Sequence, residues 1–115
     1  MAKIKVDGLD KLQKKLKSNV TMEDVKRVVK HNGAQLQERI QKNAEFTQGY
    51  QTGTTKRSVG MEIKDGGFTV ESGPKTEYAP YVEYGTRFMQ AQPFVKPALE
   101  EQKKKFKSDM QKLVR

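Results

Sequence analysis

The sequence predicts an α+β fold in which a long helix and a C-terminal helix pack on a small antiparallel β-sheet containing a hairpin. Two stretches carry apolar residues at helical spacing, and between them apolar and polar residues alternate around a glycine-rich turn. At 115 residues, the chain has the length of one domain. We therefore expect residues 1–115 to form a single domain.

The N-terminal part of the chain predicts a short strand and then a short amphipathic helix. Ile4 and Val6 alternate with lysines, and Asp7-Gly8 is a turn signal. The leucines that follow recur at the spacing of one helix face, while the lysines of this stretch lie largely off that face. These leucines are Leu9, Leu12 and Leu16.

The longest helical pattern begins after Thr21 and runs to about Ala44. Asp24, three residues after Thr21, completes a pattern resembling a capping box, with aspartate in place of the usual glutamate. Gly33 in the middle costs roughly 1 kcal/mol of helix propensity, which favours close packing of another backbone there. The predicted buried face consists of Val25, Val28, Val29, Leu36 and Ile40.

A loop and a β-hairpin follow the long helix. Residues 46–58 are rich in Gly, Thr and Gln and predict a mobile loop, which is either a plain connector or orders on assembly. Alternating residues on both sides of Asp65-Gly66-Gly67 then predict a hairpin, and Gly73-Pro74 ends its second strand. Its predicted apolar face consists of Val59, Met61, Ile63, Phe68 and Val70.

The last helix is predicted to begin near Val95 or Pro97, because proline is tolerated in the first turn. Lysines occupy the face opposite its apolar stripe, and glutamates near its start suit the helix dipole. The predicted stripe consists of Leu99, Phe106, Met110 and Leu113.

The chain is strongly basic, with a net charge of +9 and a pI near 9.8. Such a surface attracts polyanions or acidic protein surfaces. The lysines of the two terminal helical segments are explained equally by solvated helix faces and by contact with nucleic acid. The short apolar runs predict no transmembrane helix, and the N-terminus has no secretory signal. We expect a soluble protein that is made inside the cell.

The sequence contains no recognisable catalytic, metal-binding or cofactor-binding constellation. There is no cysteine, and the single histidine, His31, lies in the long helix without a second histidine. Glu83 is the one carboxylate inside an aromatic cluster, where a catalytic acid is conceivable. Since no second carboxylate, histidine or metal ligand lies beside it, an ion pair with Arg87 or with a neighbouring subunit is favoured. The sequence thus predicts a non-enzyme without cofactors.

Aromatic residues and prolines are concentrated in an arm, residues 78–97. Its tyrosines recur every three residues and form an aromatic face on a helical turn, which serves either a partner or the protein's own hairpin. Pro93 and Pro97 flank Phe94, so Phe94 is expected to enter a pocket of this subunit or the next. The predicted interface residues are Tyr78, Tyr81, Glu83, Tyr84, Gly85, Thr86, Arg87, Phe88, Pro93 and Phe94.

The arm also resembles the C-terminal signature of a family of tailed-bacteriophage neck proteins. The matching elements are E-Y-G-T at 83–86, P-F at 93–94 and P-A-L at 97–99. Upstream, Thr52-Gly53 and Arg57-Ser58-Val59 resemble the second motif of the family, although Thr54-Thr55 stands where the family usually has a residue followed by Leu. With the order of helices and hairpin, the similarity to these head-tail connector or tail-completion proteins, which are minor structural proteins of siphophages, covers nearly the whole chain.

The resemblance implies a non-catalytic subunit of a homo-oligomeric ring of six copies at the head-tail junction of a virion. Such a protein is made in the bacterial cytoplasm and contacts neighbouring connector and tail-tube proteins, but no membrane. A closed ring of this kind needs two different complementary patches per subunit. The arm, and the long helix or the hairpin, are the candidates.

DNA passes through such a ring, so basic loop residues are candidates for sequence-independent contact with it. The candidate loop residues are Thr52, Gly53, Lys56 and Arg57. The alternative, which rests on charge alone, is a free-standing basic nucleic-acid-binding protein.

Overall fold

A computed structural model describes residues 2–44, 56–75, 79–85, 91 and 93–114 of the protein. It has the α+β architecture that the sequence predicts, and most of the predicted loop, residues 46–55, lies outside the described part. The strands are β1 (Ala2–Lys5), β2 (Gly60–Lys64) and β3 (Thr69–Gly73). The helices are α1 (Leu9–Lys15), α2 (Met22–Asn43), α3 (Ala79–Tyr84) and α4 (Val95–Gln111).

The three strands form an antiparallel sheet in the order β1-β3-β2. The predicted hairpin is confirmed: β2 pairs with β3 through a tight turn at Asp65–Gly67, where Gly66 and Gly67 take positive φ values of 67° and 110°. Val70 in the central strand faces Ile4 on one side and Ile63 on the other. Glycine is favoured at these two positions because residues that carry a Cβ atom rarely adopt positive φ.

The predicted apolar face of the hairpin is only partly correct. Val59 and Val70 are buried, but Ile63 is 44% exposed. Ile63 lies on the edge strand next to the turn, and α2 packs mainly across β3. Ser72 is buried instead, and its hydroxyl donates a 2.7 Å hydrogen bond to the carbonyl oxygen of Gly60. A satisfied hydroxyl can therefore occupy a core position that the sequence pattern assigns to an apolar residue.

The start of α2 confirms the predicted capping interaction. The backbone N–H of Thr21 donates a 2.8 Å hydrogen bond to the Asp24 carboxylate, and the Thr21 hydroxyl donates to the same carboxylate at 3.3 Å. The backbone N–H of Thr21 thereby finds a partner at the end of the helix. These contacts lower the pKa of Asp24, the backbone hydrogen bond from Thr21 being the largest cause.

The middle of α2 lies directly on the sheet. A Cβ atom at Gly33 would lie 2.3 Å from Cγ2 of Val70, so the helix approaches β3 more closely than any other residue type would allow. The sequence predicts close packing here, and its partner is the side chain of Val70 rather than another backbone. Val25, Leu36 and Ile40 are buried as predicted.

The second buried face of α2 is polar and meets α4. Val28 is only partly buried, whereas Asn32 is completely buried. On α4 the fully covered residues are Ala98 and Gln102, and the predicted apolar stripe is only partly buried. The four predicted stripe residues do pack against the core, but the sequence prediction missed the polar contact that α4 makes through Gln102.

Amide groups form the centre of the α2/α4 contact. Nε2 of Gln102 donates hydrogen bonds to Oδ1 of Asn32 and, at 3.0 Å, to Oε1 of Gln35. Nε of Arg39 donates to Oε1 of Gln102 at 2.8 Å, and Nδ2 of Asn32 donates to the Asp109 carboxylate at 3.0 Å. Buried amides whose donors and acceptors are paired fix the register of two helices more sharply than apolar contacts do.

Candidate functional site

The arm begins with α3, a short helix of the kind that the tyrosine spacing predicts. It ends at Tyr84, and Gly85 follows with a φ of +80°. Tyr84 is 83% exposed, whereas Ala79 at the start of the helix is buried in the core. Of the other predicted interface residues, the side chain of Tyr81 and all of Tyr78, Thr86, Arg87 and Phe88 lie outside the described part of the chain.

Glu83 ties the arm to the N-terminus of α4. One carboxylate oxygen, Oε1, accepts hydrogen bonds from the backbone N–H groups of Phe94 at 3.0 Å and Val95 at 2.8 Å. The other, Oε2, accepts one from the N–H of Lys96 at 3.2 Å. These are N–H groups that a helix leaves without partners in its first turn, where its dipole also favours negative charge. Glu83 therefore acts as a cap supplied by a distant segment of the chain.

This geometry differs from the partners that the sequence favours for Glu83. The predicted ion pair with Arg87 involves a residue outside the described part, and the observed partners are backbone groups of its own chain. No local signal marks the cap, because Glu83 precedes Val95 by 12 residues. A side chain that accepts three backbone hydrogen bonds holds the end of α3 in a fixed orientation.

Phe94 enters a pocket of its own subunit. It is completely buried, and it is the largest of the fully buried side chains. Nδ2 of Asn43, at the end of α2, donates a 3.3 Å hydrogen bond to the Phe94 carbonyl oxygen. The sequence leaves open whether Phe94 anchors this subunit or the next, and burial in its own core removes it from the surface that a partner could contact. The neighbouring Pro93 is exposed.

The predicted loop returns to the same end of the fold as the arm. Nε2 of Gln37 donates a 3.0 Å hydrogen bond to the Val59 carbonyl oxygen, so the end of this segment lies along the C-terminal half of α2. Residues 56–58, which the sequence assigns to the loop, are helical. An open depression of about 280 Å³ is lined there by Gln41, Lys42, Lys56 and Arg57. Thr52 and Gly53 lie outside the described residues. We call this end, which carries α3, Phe94 and residues 56–59, the arm end.

The opposite end of the fold carries the hairpin turn, and we call it the turn end. Phe68 directly follows the hairpin turn, and the ammonium group of Lys26, near the start of α2, lies 5.3 Å from the centre of its ring. Ile63 lies on the edge strand beside the turn. Within the described ranges, Ile63 on β2 and Tyr84 on α3 are the exposed large hydrophobic residues.

Neither a metal site nor a membrane span is found in the described part of the chain. No group of three or more His, Asp or Glu side chains there could hold a metal ion. No helix among those residues combines the length and apolar character that crossing a membrane requires. His31 is exposed on α2.

Comparison with known protein families gives a match over most of the chain. The model of the HK97-gp10-like family, described as "Bacteriophage HK97-gp10, putative tail-component", matches residues 7–85, which is well over half of the chain. The matched region begins just before α1 and ends immediately after Glu83 and Tyr84. No curated protein and no solved structure matches the chain.

Proposed function

The chain belongs to the HK97-gp10-like family of bacteriophage tail components, and from this premise we propose that it is a structural virion protein that acts in head-tail joining or tail completion. In this proposal the protein is non-enzymatic and lies at the neck of the virion, between the head and the tail tube. Beyond membership of the family, the structure of the arm end supports this proposal. There a short helix, fixed to the start of α4 by Glu83, presents Tyr84 with 83% of its surface exposed.

Two exposed apolar residues support assembly into a ring. A head-to-tail ring requires two different patches on each subunit, and a symmetric dimer requires only one. Tyr84 lies on α3 at the arm end and Ile63 lies on the edge strand β2, so the two exposed residues belong to different elements. In the proposed ring, Tyr84 of one subunit packs against the edge strand around Ile63 of the next. Tyrosine suits this role because it combines a large contact area with few rotatable bonds.

The interface is pre-organised by contacts within the subunit. The hydrogen bonds of the Glu83 carboxylate to the start of α4 hold the backbone on which Tyr84 is the next residue. Little conformational entropy is therefore lost when Tyr84 contacts a partner. A ring of six subunits, with connector and tail-tube proteins as neighbours, is the assembly that we propose. Arg57, exposed at the arm end, and the adjacent loop would then face passing DNA.

The experiment that tests this function is electron microscopy of particles made by a phage that lacks the protein. We expect filled heads and separate tails, and we expect the wild-type protein supplied in trans to restore joined particles. A catalytically inactive rescue control is not needed, because the proposal assigns no reaction. Complete, infectious particles in the absence of the protein would contradict the proposal. Steeply salt-sensitive DNA binding together with normal particle assembly would favour the free-standing nucleic-acid-binding alternative.

A further inference from the structure

The strongest feature that the proposed function does not use is a concentration of lysine on the two terminal helices. Residues 9–17 and 103–114 together contain nine lysines and two aspartates, a net of +7 out of the +9 of the whole chain. The two stretches are far apart in sequence. Most of the positive charge therefore resides in two short segments whose relative position only the fold determines.

The fold places these two segments side by side. Leu16 forms an isolated antiparallel bridge with Val114, and the backbone N–H of Lys17 donates a 2.9 Å hydrogen bond to the Leu113 carbonyl oxygen. Further along, Leu12 of α1 and Phe106 and Met110 of α4 line the same groove of about 390 Å³. Leu12 of α1 thus faces α4 across this groove, and Lys107 lines the rim of the same groove. The four lysines of residues 9–17 are exposed, and so are those of residues 103–114 except the half-buried Lys105.

Eight of these lysines are exposed and form no salt bridge with another described residue. They are Lys11, Lys14, Lys15, Lys17, Lys103, Lys104, Lys107 and Lys112. Near the start of α2, by contrast, two basic residues are matched by acids one turn away, in the pairs Lys26 with Glu23 and Arg27 with Asp24. Lysines one turn apart repel each other and destabilise a helix. Two helices thus carry a repulsion that a bound anion would relieve.

The spacing of these charges suits a continuous anion. Lys11 and Lys15, like Lys103 and Lys107, are four residues apart, which is about 6 Å along a helix. Duplex DNA carries a phosphate every 3.4 Å or so along each strand, so a row of lysines on such a helix meets phosphates along its length. Lysine is depleted in protein interfaces, which are instead enriched in aromatic residues and arginine. No large hydrophobic residue is exposed on α1 or on the described residues of α4.

We propose that the outer faces of α1 and α4 form one binding surface for the phosphodiester backbone of duplex DNA, held without regard to base sequence. We call it the lysine surface. It differs from the predicted DNA contact at Lys56 and Arg57, which lies at the arm end beside the C-terminus of α2. The inference does not require a ring, so its failure would leave the head-tail assignment standing, and particle morphology tests that assignment separately.

The test compares two variants of the full chain that lose the same charge at different places. The surface variant carries Lys11→Gln, Lys15→Gln, Lys103→Gln and Lys107→Gln. The control variant carries Lys3→Gln, Lys30→Gln, Lys75→Gln and Lys96→Gln, four exposed lysines outside α1, the C-terminal half of α4 and the depression lined by Lys56 and Arg57. Circular dichroism and thermal melting establish that both variants fold. Binding of a short duplex is then measured by fluorescence anisotropy between about 50 and about 200 mM salt.

We expect the surface variant to bind duplex at least about tenfold more weakly than the wild type. The plot of log K against log salt should also become less steep, its slope falling in magnitude by about 2 to 4, because each lost phosphate contact changes this slope by about 0.9. The control variant should stay within about threefold of the wild type. Equal losses in both variants, or no duplex binding by the wild type at about 50 mM salt, would overturn the proposal. The proposal would also be overturned if poly-glutamate displaced the labelled duplex at a lower concentration, counted in negative charges, than unlabelled duplex does. The surface would then prefer an acidic polypeptide to DNA.

Discussion

The backbone N–H of Val95 donates a 2.8 Å hydrogen bond to the Glu83 carboxylate, 12 residues earlier in the chain. The contact joins the end of α3 to the first turn of α4 and leaves the next residue, Tyr84, exposed. The rigidity of the arm and the stability of the C-terminal helix thus depend on the same side chain. A single substitution at Glu83 should affect both.

Glu83→Gln tests this dependence. The amide keeps the shape of the side chain but loses the negative charge and one acceptor oxygen at a helix N-terminus, so we expect the free energy of unfolding to fall by about 1 to 2 kcal/mol. Urea denaturation measures this change, and hydrogen exchange should show faster exchange of the Phe94, Val95 and Lys96 amides. The matched control is Glu100→Gln on the exposed side of α4, which should change stability by less than about 0.5 kcal/mol. Equal effects of the two substitutions would contradict the cap.

Phe94→Ala separates an anchor in the protein's own core from an anchor in a partner. Because Phe94 is completely buried, truncation leaves a cavity and should cost about 3 to 5 kcal/mol in a urea titration of the isolated protein. Pro93→Ala, at the exposed neighbouring position, should cost less than about 1 kcal/mol. A normally stable Phe94→Ala variant that fails only in particle assembly would show that Phe94 acts on a partner instead.

Gly33→Ala should destabilise the protein although alanine is the better helix former. The gain in helix propensity is about 1 kcal/mol, but the new Cβ would lie 2.3 Å from Cγ2 of Val70, which requires α2 to move away from the sheet. We expect a net loss of about 1 to 3 kcal/mol by thermal or chemical denaturation. Val70→Ala removes the clashing methyl group.

The double variant provides the control for this argument. If the clash is the cause, Gly33→Ala should cost less, or should stabilise, when Val70→Ala is already present, giving a coupling energy of about 1 kcal/mol or more. Strictly additive effects of the two substitutions would indicate that Gly33 is needed for a reason other than contact with Val70.

The helices and the hairpin could be predicted from the sequence because local patterns specify them. The apolar period and the Thr21 cap predicted a helix to about Ala44, and α2 ends at Asn43. The hairpin likewise follows from alternation and from Asp65-Gly66-Gly67. In each case the residues that determine the element lie within it or within three positions of its end.

The contacts between elements could not be predicted in the same way. Gln102 is separated from Asn32 by 70 residues, and the burial of each is possible because the other, together with Gln35, Arg39 and Asp109, pairs its amide. On pattern alone, both belong to a solvated face. The role of Glu83 has the same origin, since a cap supplied from outside the helix leaves no signature at the helix start. Polar residues whose partners are distant in sequence therefore account for most of the differences between prediction and structure.

Asp109 makes the stability of the α2/α4 contact depend on pH. Burial acts to raise its pKa, but hydrogen bonds from Asn32 and Lys105 outweigh burial, and the pKa lies below its ordinary value. The charged form therefore stabilises the fold above the ordinary pKa of about 4, and this contribution is lost as pH falls through the lower pKa of the folded state. Acid should thus weaken the attachment of α4 to α2.

Asp109→Asn measures this contribution. At neutral pH we expect the variant to be less stable by about 1 to 3 kcal/mol, because a charge-assisted hydrogen bond becomes a neutral one. The difference from the wild type should narrow as pH falls below about 4, as followed by urea titrations at a series of pH values. Ser108→Ala, at the exposed neighbouring position, should leave the pH profile unchanged. A difference that stays constant from neutral to acid pH would show that the Asp109 charge is not the cause.

The proposed contact between Tyr84 and Ile63 predicts a specific pattern of assembly defects. Tyr84→Ser and Ile63→Ser should each fold normally, because both side chains are exposed, and each should reduce the yield of joined particles in complementation followed by electron microscopy. If the two residues meet across the same interface, the double variant should be little worse than either single variant, since the first substitution already removes the shared contact. His31→Ser, at another exposed position, should join heads and tails normally. If the double variant instead loses yield by the product of the two single-variant losses, Tyr84 and Ile63 lie in different interfaces. Normal yields of joined particles from both single variants would exclude both residues from the ring contact.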